Sequence, residues 1–330
     1  MLKLWIAALT AAIGLTGCSD SNSGSAAKAH ALPRASGHQR VTVVARGVPT
    51  PTEFAVFAGQ LFVAGYGDEH NPKAPGGVYL LHGGKAIKVP GSPQHVYGLA
   101  SGENALYLSN GQALLAWSGW NGMRFRKTRI IRTPQGYGSF REPAVGPDGL
   151  IYVGAESDPR PTAPPTPSTS ASFVSVDPAT GSTTVIANGI RQPWQPLFLP
   201  GHALPLVSAL NQDDLGPKRP LDYLLAIQRG ANYGFPTCPA TPSTCANYTQ
   251  PLVKLPAHSS PMGLGYLNGK LYVALYGGLG KGSVVVTMPP GGGTPTPFLS
   301  GFTARVIALG TVGGDLYAGV QSGVIYRVTP

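Results

Sequence analysis

A short hairpin unit recurs along this chain, and that recurrence limits its fold more than any other feature. The clearest copy reads Pro143-Ala144-Val145-Gly146-Pro147-Asp148-Gly149-Leu150-Ile151-Tyr152-Val153-Gly154. An apolar strand, a glycine-containing turn and a second apolar strand follow one another, which is a hairpin signature. Similar units begin at Phe54, Gly98, Gly263 and Val306, and a degenerate copy covers residues 195–208. A third strand can be traced after each, over residues 77–81, 113–117, 172–176, 223–227, 283–287 and 323–328. One such sheet leaves both faces in water. A closed ring buries each face against a neighbour and protects the edges. The chain therefore reads as an all-β propeller. Residues 41–45 form one more strand, expected to join the last sheet and close the ring.

Composition agrees. There are 45 glycines and 33 prolines, and only 12% of residues are charged. That suits many short strands joined by tight turns and excludes a helical bundle. A hydrophobic share of 42% excludes disorder of the whole chain. The net charge of +10 would attract anionic membrane, polyanionic wall polymer or nucleic acid. The dense basic cluster is Arg124, Arg126, Lys127, Arg129 and Arg132. It alternates as a solvated strand face does, so no nucleic-acid partner is expected. The longest interruption, residues 156–172, is a Pro/Ser/Thr-rich surface insertion.

The first residues address the compartment. Lys3 precedes an apolar run, residues 4–15, too short to span a bilayer as a helix. Leu15-Thr16-Gly17-Cys18 then matches a bacterial lipobox. The expectation is an export signal over residues 1–17, removed on maturation, with lipid on Cys18. Residues 18–40 read as a flexible tether and residues 41–330 as the propeller, held at the cell envelope facing the periplasm or the exterior. Cys238 and Cys245, at C-x6-C spacing in an oxidising compartment, read as a local disulfide.

Three corners, residues 46–49, 188–191 and 300–303, recur where one sheet would hand over to the next. Residues just after them would line a central funnel, which brings Arg191 and Arg305 toward one mouth.

Three further marks stand in fixed order: Gly189-Ile190-Arg191-Gln192-Pro193, the turn Asn211-Gln212-Asp213-Asp214-Leu215-Gly216, and Gly230-Ala231-Asn232-Tyr233-Gly234-Phe235-Pro236. Together they resemble the soluble quinoprotein glucose/sorbosone dehydrogenase family. Its members usually read G-[LI]-R-N-P, then D-D or D-E before Leu or Ile, then G-x-x-Y-G-W-P. Gln192 stands here for the usual Asn and Phe235 for the usual Trp. The resemblance implies a six-bladed β-propeller, with blades of about 48 residues within the usual range. It implies the quinone cofactor PQQ over the funnel and Ca2+ bridging it to backbone carbonyls. The quinone would take hydride from a sugar and pass electrons to a respiratory acceptor. On these positions Arg191, Gln192, Lys281 and Arg305 would contact the cofactor. The carbonyls of Leu210, Asn211 and Gln212 would hold calcium, with Asp213 and Asp214 behind them. The Asp pair also reads as a turn-former satisfying its own backbone.

The resemblance further implies a base histidine shortly before the Pro147-Asp148-Gly149 turn. Residues 137–141 contain none. His95 and His258, each preceding a first strand, are the remaining candidates. A propeller that lost its base and binds a sugar, envelope polymer or protein partner through the funnel is the alternative. The sequence has no G-x-S-x-G, H-E-x-x-H or C-x-x-C motif.

Overall fold

A computed structural model describes residues 31–68, 74–134, 138–157, 170–280 and 282–329. Six antiparallel sheets follow one another along the chain as the blades of a propeller. The inner strands of blades 1 to 6 are Pro51–Phe57, Gly98–Ser101, Phe140–Val145, Gln192–Leu197, Pro261–Leu267 and Val306–Val312. The degenerate fourth unit is a full blade: Gln192–Leu197, Leu206–Leu210, Leu221–Ala226 and Val253–Ala257 pair in order.

The ring closes as the sequence implies. Arg40–Arg46 pairs with the last strand, Val324–Thr329, with Val41 opposite Val328. Arg34–Ala35, expected to lie in the tether, instead adds a strand to the outer edge of blade 5. Arg34 lies opposite Ser300 and Ala35 opposite Leu299, and Ser36 N–H donates to the Phe298 carbonyl at 2.8 Å. Cys18 and residues 1–17, where an export signal is expected, lie outside the described residues.

The core sits between blades, not within them. Phe62, Val78 and Leu80 of blade 1 meet Leu106, Leu108, Leu115 and Trp117 of blade 2 in one buried cluster. Truncating a side chain such as Leu106 to Ala would cost about 2–5 kcal/mol through lost burial and the cavity left behind.

Five of the six inner strands carry a register shift: at Pro51/Glu53, Phe140/Pro143, Pro193/Pro196, Pro261/Leu264 and Val306/Ala308. A bulge re-aims the side chains it contains. Here that local irregularity builds the candidate site.

Candidate functional site

The five bulges, together with Tyr97 just before the regular inner strand of blade 2, form the floor of a funnel of about 860 Å³. Each blade contributes one: Thr52, Tyr97, Arg141, Trp194, Met262 and Ile307. Tyr66 and Tyr276 stand on the wall, with Gln192 and Gln321 beside them.

Two rings and one cation dominate the floor. The Arg141 guanidinium lies 4.3 Å from the Tyr97 ring centroid and 5.0 Å from that of Trp194. Tyr97 also packs on Tyr66, with ring centroids 4.7 Å apart. Glu156, at the end of the second strand of blade 3, fixes the cation. Its Oε2 accepts Arg141 Nε at 2.7 Å, Arg141 Nη2, and Gln192 Nε2 at 2.9 Å. Burial works against the Arg141 charge, but the Glu156 carboxylate outweighs it and holds the guanidinium above its ordinary pKa. The funnel floor thus presents a compensated cation between two aromatic faces.

One residue further along the inner strands lies a second, fully buried polar layer with Glu53, Glu142 and Gln195. Its logic is that each side chain reaches the next blade. Glu53 Oε2 accepts Leu99 N–H at 2.6 Å, and Gln195 Oε1 accepts Leu264 N–H. The matching residue for Glu142 is Pro196, which has no N–H to give. Neither Glu142 oxygen makes a hydrogen bond of good geometry, and the Trp194 indole beside it is the donor that partly offsets its raised pKa. Gly98 makes room for this layer, since a Cβ there would meet Glu53 Oε2 and lie 2.8 Å from Glu142 Cγ. Burial raises the pKa of both carboxyls well above the usual range, and the neighbouring Glu53 raises Glu142 further.

The family-implied residues fall near the mouth, but not all in the funnel. Gln192 lines it. Arg191 is turned toward the 211–216 turn, where Nη1 donates to the Asn211 carbonyl at 2.6 Å. Arg305 lies 4.6 Å above the Tyr276 ring at the rim. Lys281 lies outside the described residues. Asn211 is held from below, its N–H on Asp222 Oδ1 at 2.9 Å and its side chain on the Leu221 carbonyl at 2.6 Å. Leu210 ends the second strand of blade 4, and Gln212 is buried with Oε1 unpartnered. Asp213 and Asp214 are exposed. Among the described residues no group of three or more His, Cys, Asp or Glu is placed to hold a metal.

Both histidines are engaged outside the floor. His95 sits behind Tyr66, with Nδ1 2.9 Å from the Tyr66 carbonyl. His258 bridges Asp213 Oδ1 at 3.3 Å and the Gly216 carbonyl at 3.0 Å, and this carbonyl contact chiefly raises its pKa. At Gly138, in the stretch where a base was expected, a Cβ would collide with the Glu156 carbonyl. Cys238 and Cys245 are bonded, as their spacing implies.

The sequence reading missed Tyr97, Arg141 and Trp194 on the floor, Glu53, Glu142 and Gln195 in the buried layer, and also Glu156 and Asp222. Asp222 accepts Asn211 N–H, Ser260 N–H at 2.8 Å and Ser259 Oγ at 3.4 Å, and burial raises its pKa to about 6. Its signal was an acid inside the apolar strand Leu221–Ala226.

No protein-family model matches the chain, and no curated protein matches it. Solved structures match its fold. The pyranose dehydrogenase PQQ domain of Coprinopsis cinerea, in holo form, is 17% identical with a TM-score of 0.72, over 90% of this chain and 97% of that one. The soluble aldose sugar dehydrogenase of Escherichia coli is 15% identical with a TM-score of 0.71, over 88% and 99%. The PQQ-bound aldose sugar dehydrogenase of Streptomyces coelicolor is 19% identical with a TM-score of 0.66, over 90% and 99%.

Proposed function

We propose that this chain is a sugar-binding propeller built on the sugar-dehydrogenase fold, and that its funnel works without quinone chemistry. The Tyr97–Arg141–Trp194 stack carries the reading. Aromatic faces suit the C–H-rich face of a sugar ring, and a few placed polar groups orient its hydroxyls. Gln192, Gln321 and Thr50 supply amides and a hydroxyl around that floor. Because Glu156 already balances Arg141, a neutral sugar is the favoured ligand class.

The residues present do not fit a calcium-bridged PQQ served by a histidine base. The Asn211 carbonyl expected to face calcium accepts the Arg191 guanidinium instead. The Gly138 backbone leaves no space for a side chain, and His95 and His258 are bonded elsewhere. Two observations favour the rival reading, a PQQ-dependent sugar dehydrogenase passing electrons to a respiratory acceptor: the fold is shared with a holo PQQ domain and a PQQ-bound aldose sugar dehydrogenase, and Gln212 Oε1 is a buried oxygen without a partner in the same turn.

The proposal includes export and anchoring. Residues 1–17 would be removed and Cys18 lipidated, holding the propeller at the cell envelope; Leu15-Thr16-Gly17-Cys18 supports this.

Reconstitution with PQQ and Ca2+, followed by a dye-reduction assay over a sugar panel, separates the two functions. The binding reading expects no bound-quinone absorbance and no turnover. Stoichiometric quinone uptake with sugar-dependent dye reduction would replace it with the dehydrogenase.

A further inference from the structure

The rim of blade 2 carries a surface that the funnel does not use. Residues 121–130 are exposed at every position except Phe125. Phe125 turns inward, its ring 5.2 Å from Trp117, 4.8 Å from Trp120 and 5.9 Å from Phe62 of blade 1. Trp120 Nε1 also donates to Gln60 Oε1 at 2.6 Å. This aromatic anchor fixes the segment against two blades while its neighbours project outward.

The projecting side chains are of two kinds. Arg124, Arg126, Lys127 and Arg129 are cationic, and the sequence has no Asp or Glu between Glu103 and Glu142. None of the four forms an ion pair with another described residue. Arg129 Nη2 donates to the Pro178 carbonyl, and Asp177 beside it accepts its own turn's Ala179 N–H at 2.7 Å. Within the same ten residues stand Met123, 72% exposed, and Ile130, 60% exposed, the most exposed large apolar side chains among the described residues.

An exposed apolar side chain alone means little, and cations alone would suit any polyanion. The combination is selective. A soluble polyanion pairs with the cations and leaves Met123 in water. An anionic bilayer surface attracts the cations and takes the apolar tip into its interface. Strand order also fits. Gly98–Ser101 runs away from the funnel floor at Tyr97, and Lys127 pairs with Ser118, which pairs with Ala105. The 119–126 turn therefore lies at the end of the blade remote from the funnel mouth.

We propose that this rim of blade 2 is a docking surface for an anionic lipid bilayer, leaving the funnel open to solvent. The proposal depends neither on the funnel's ligand nor on lipid at Cys18.

The test is vesicle co-sedimentation at low salt. All six blades lie within residues 34–329, so the propeller starting at residue 31 is used. It should bind mixed phosphatidylglycerol–phosphatidylcholine vesicles and not phosphatidylcholine alone. At roughly fivefold per cation, Arg124→Gln with Lys127→Gln should weaken binding about 30-fold. Met123→Ser, which leaves the charge unchanged, should weaken it several-fold without changing the salt slope, and thermal midpoints should not move, because these side chains are exposed. Equal binding to both vesicle types would overturn the proposal. So would tight binding to soluble polyphosphate combined with vesicle binding that Met123→Ser leaves unchanged, which would mark a polyanion site.

Discussion

Glu53 Oε2 accepts the backbone N–H of Leu99 across the gap between blades 1 and 2, at 2.6 Å. Gln195 does the same for Leu264 between blades 4 and 5. Glu142 occupies the corresponding place between blades 3 and 4 and meets Pro196, so it stays buried without a hydrogen bond of good geometry beside Glu53. Burial raises the pKa of both carboxyls, and for Glu142 the nearby Glu53 adds to it.

Stability should therefore fall as the pH rises. Glu53, Glu142 and Asp222 all have folded-state pKa values raised by burial, Asp222 to about 6. A carboxyl so shifted contributes stability that is fully present below its unfolded value, about 4.3 for Glu. That contribution is lost as the pH climbs through the folded value. The His258 shift, also upward, acts in the same direction. Denaturant melts should show lower stability at pH 8 than at pH 5. Glu142→Gln should flatten this dependence, because the amide at that position cannot ionise.

Trp194 and Glu156 should separate the two components of the funnel floor. Trp194→Ala removes one face of the stack on Arg141 and should weaken sugar binding about tenfold. Glu156→Gln removes the carboxylate that balances Arg141. It should destabilise the protein by about 3 kcal/mol, because a buried guanidinium loses its counter-charge. It should also shift ligand preference from neutral sugars toward a uronate. Calorimetric titration with a neutral sugar and its uronate measures both effects.

Arg191 should matter for stability more than for ligand binding. Its bond to the Asn211 carbonyl links the start of blade 4 to the turn after that blade's second strand. Arg191→Ala should cost about 1.5–3 kcal/mol, the range for a hydrogen bond to a charged group. Sugar affinity should change less than threefold, measured on the same samples.

Much of the fold was legible because blade chemistry is local. Alternation, glycine turns and the 323–328 strand led directly to the ring and its closure by Arg40–Arg46. Residues 34–35 were missed because two backbone pairs leave no periodic signal in a Ser/Ala/Gly-rich stretch. The site was less legible. Its floor takes one side chain per blade, five of them from bulges, and a bulge has no period to read. Arg141 and Glu142 sat in plain view before a proline, yet nothing local says that one faces a funnel and the other an axis. The resemblance drew attention to Arg191, while the cation on the floor is Arg141.

Installing a histidine where the base was expected should fail. Gly138 lies against the Glu156 carbonyl with no room for a Cβ. Gly138→His should destabilise the fold by at least about 2 kcal/mol, and reconstitution with PQQ and Ca2+ should yield no turnover. Thermal melts and the dye assay together check this.

The most direct measurement of the central claim is an equilibrium titration of the quinone-free protein with a panel of neutral sugars, followed by tryptophan fluorescence. The account predicts a saturable change for at least one sugar, lost in Trp194→Phe, with no PQQ or calcium present. No response from any sugar until both are added, followed by sugar oxidation, would contradict it.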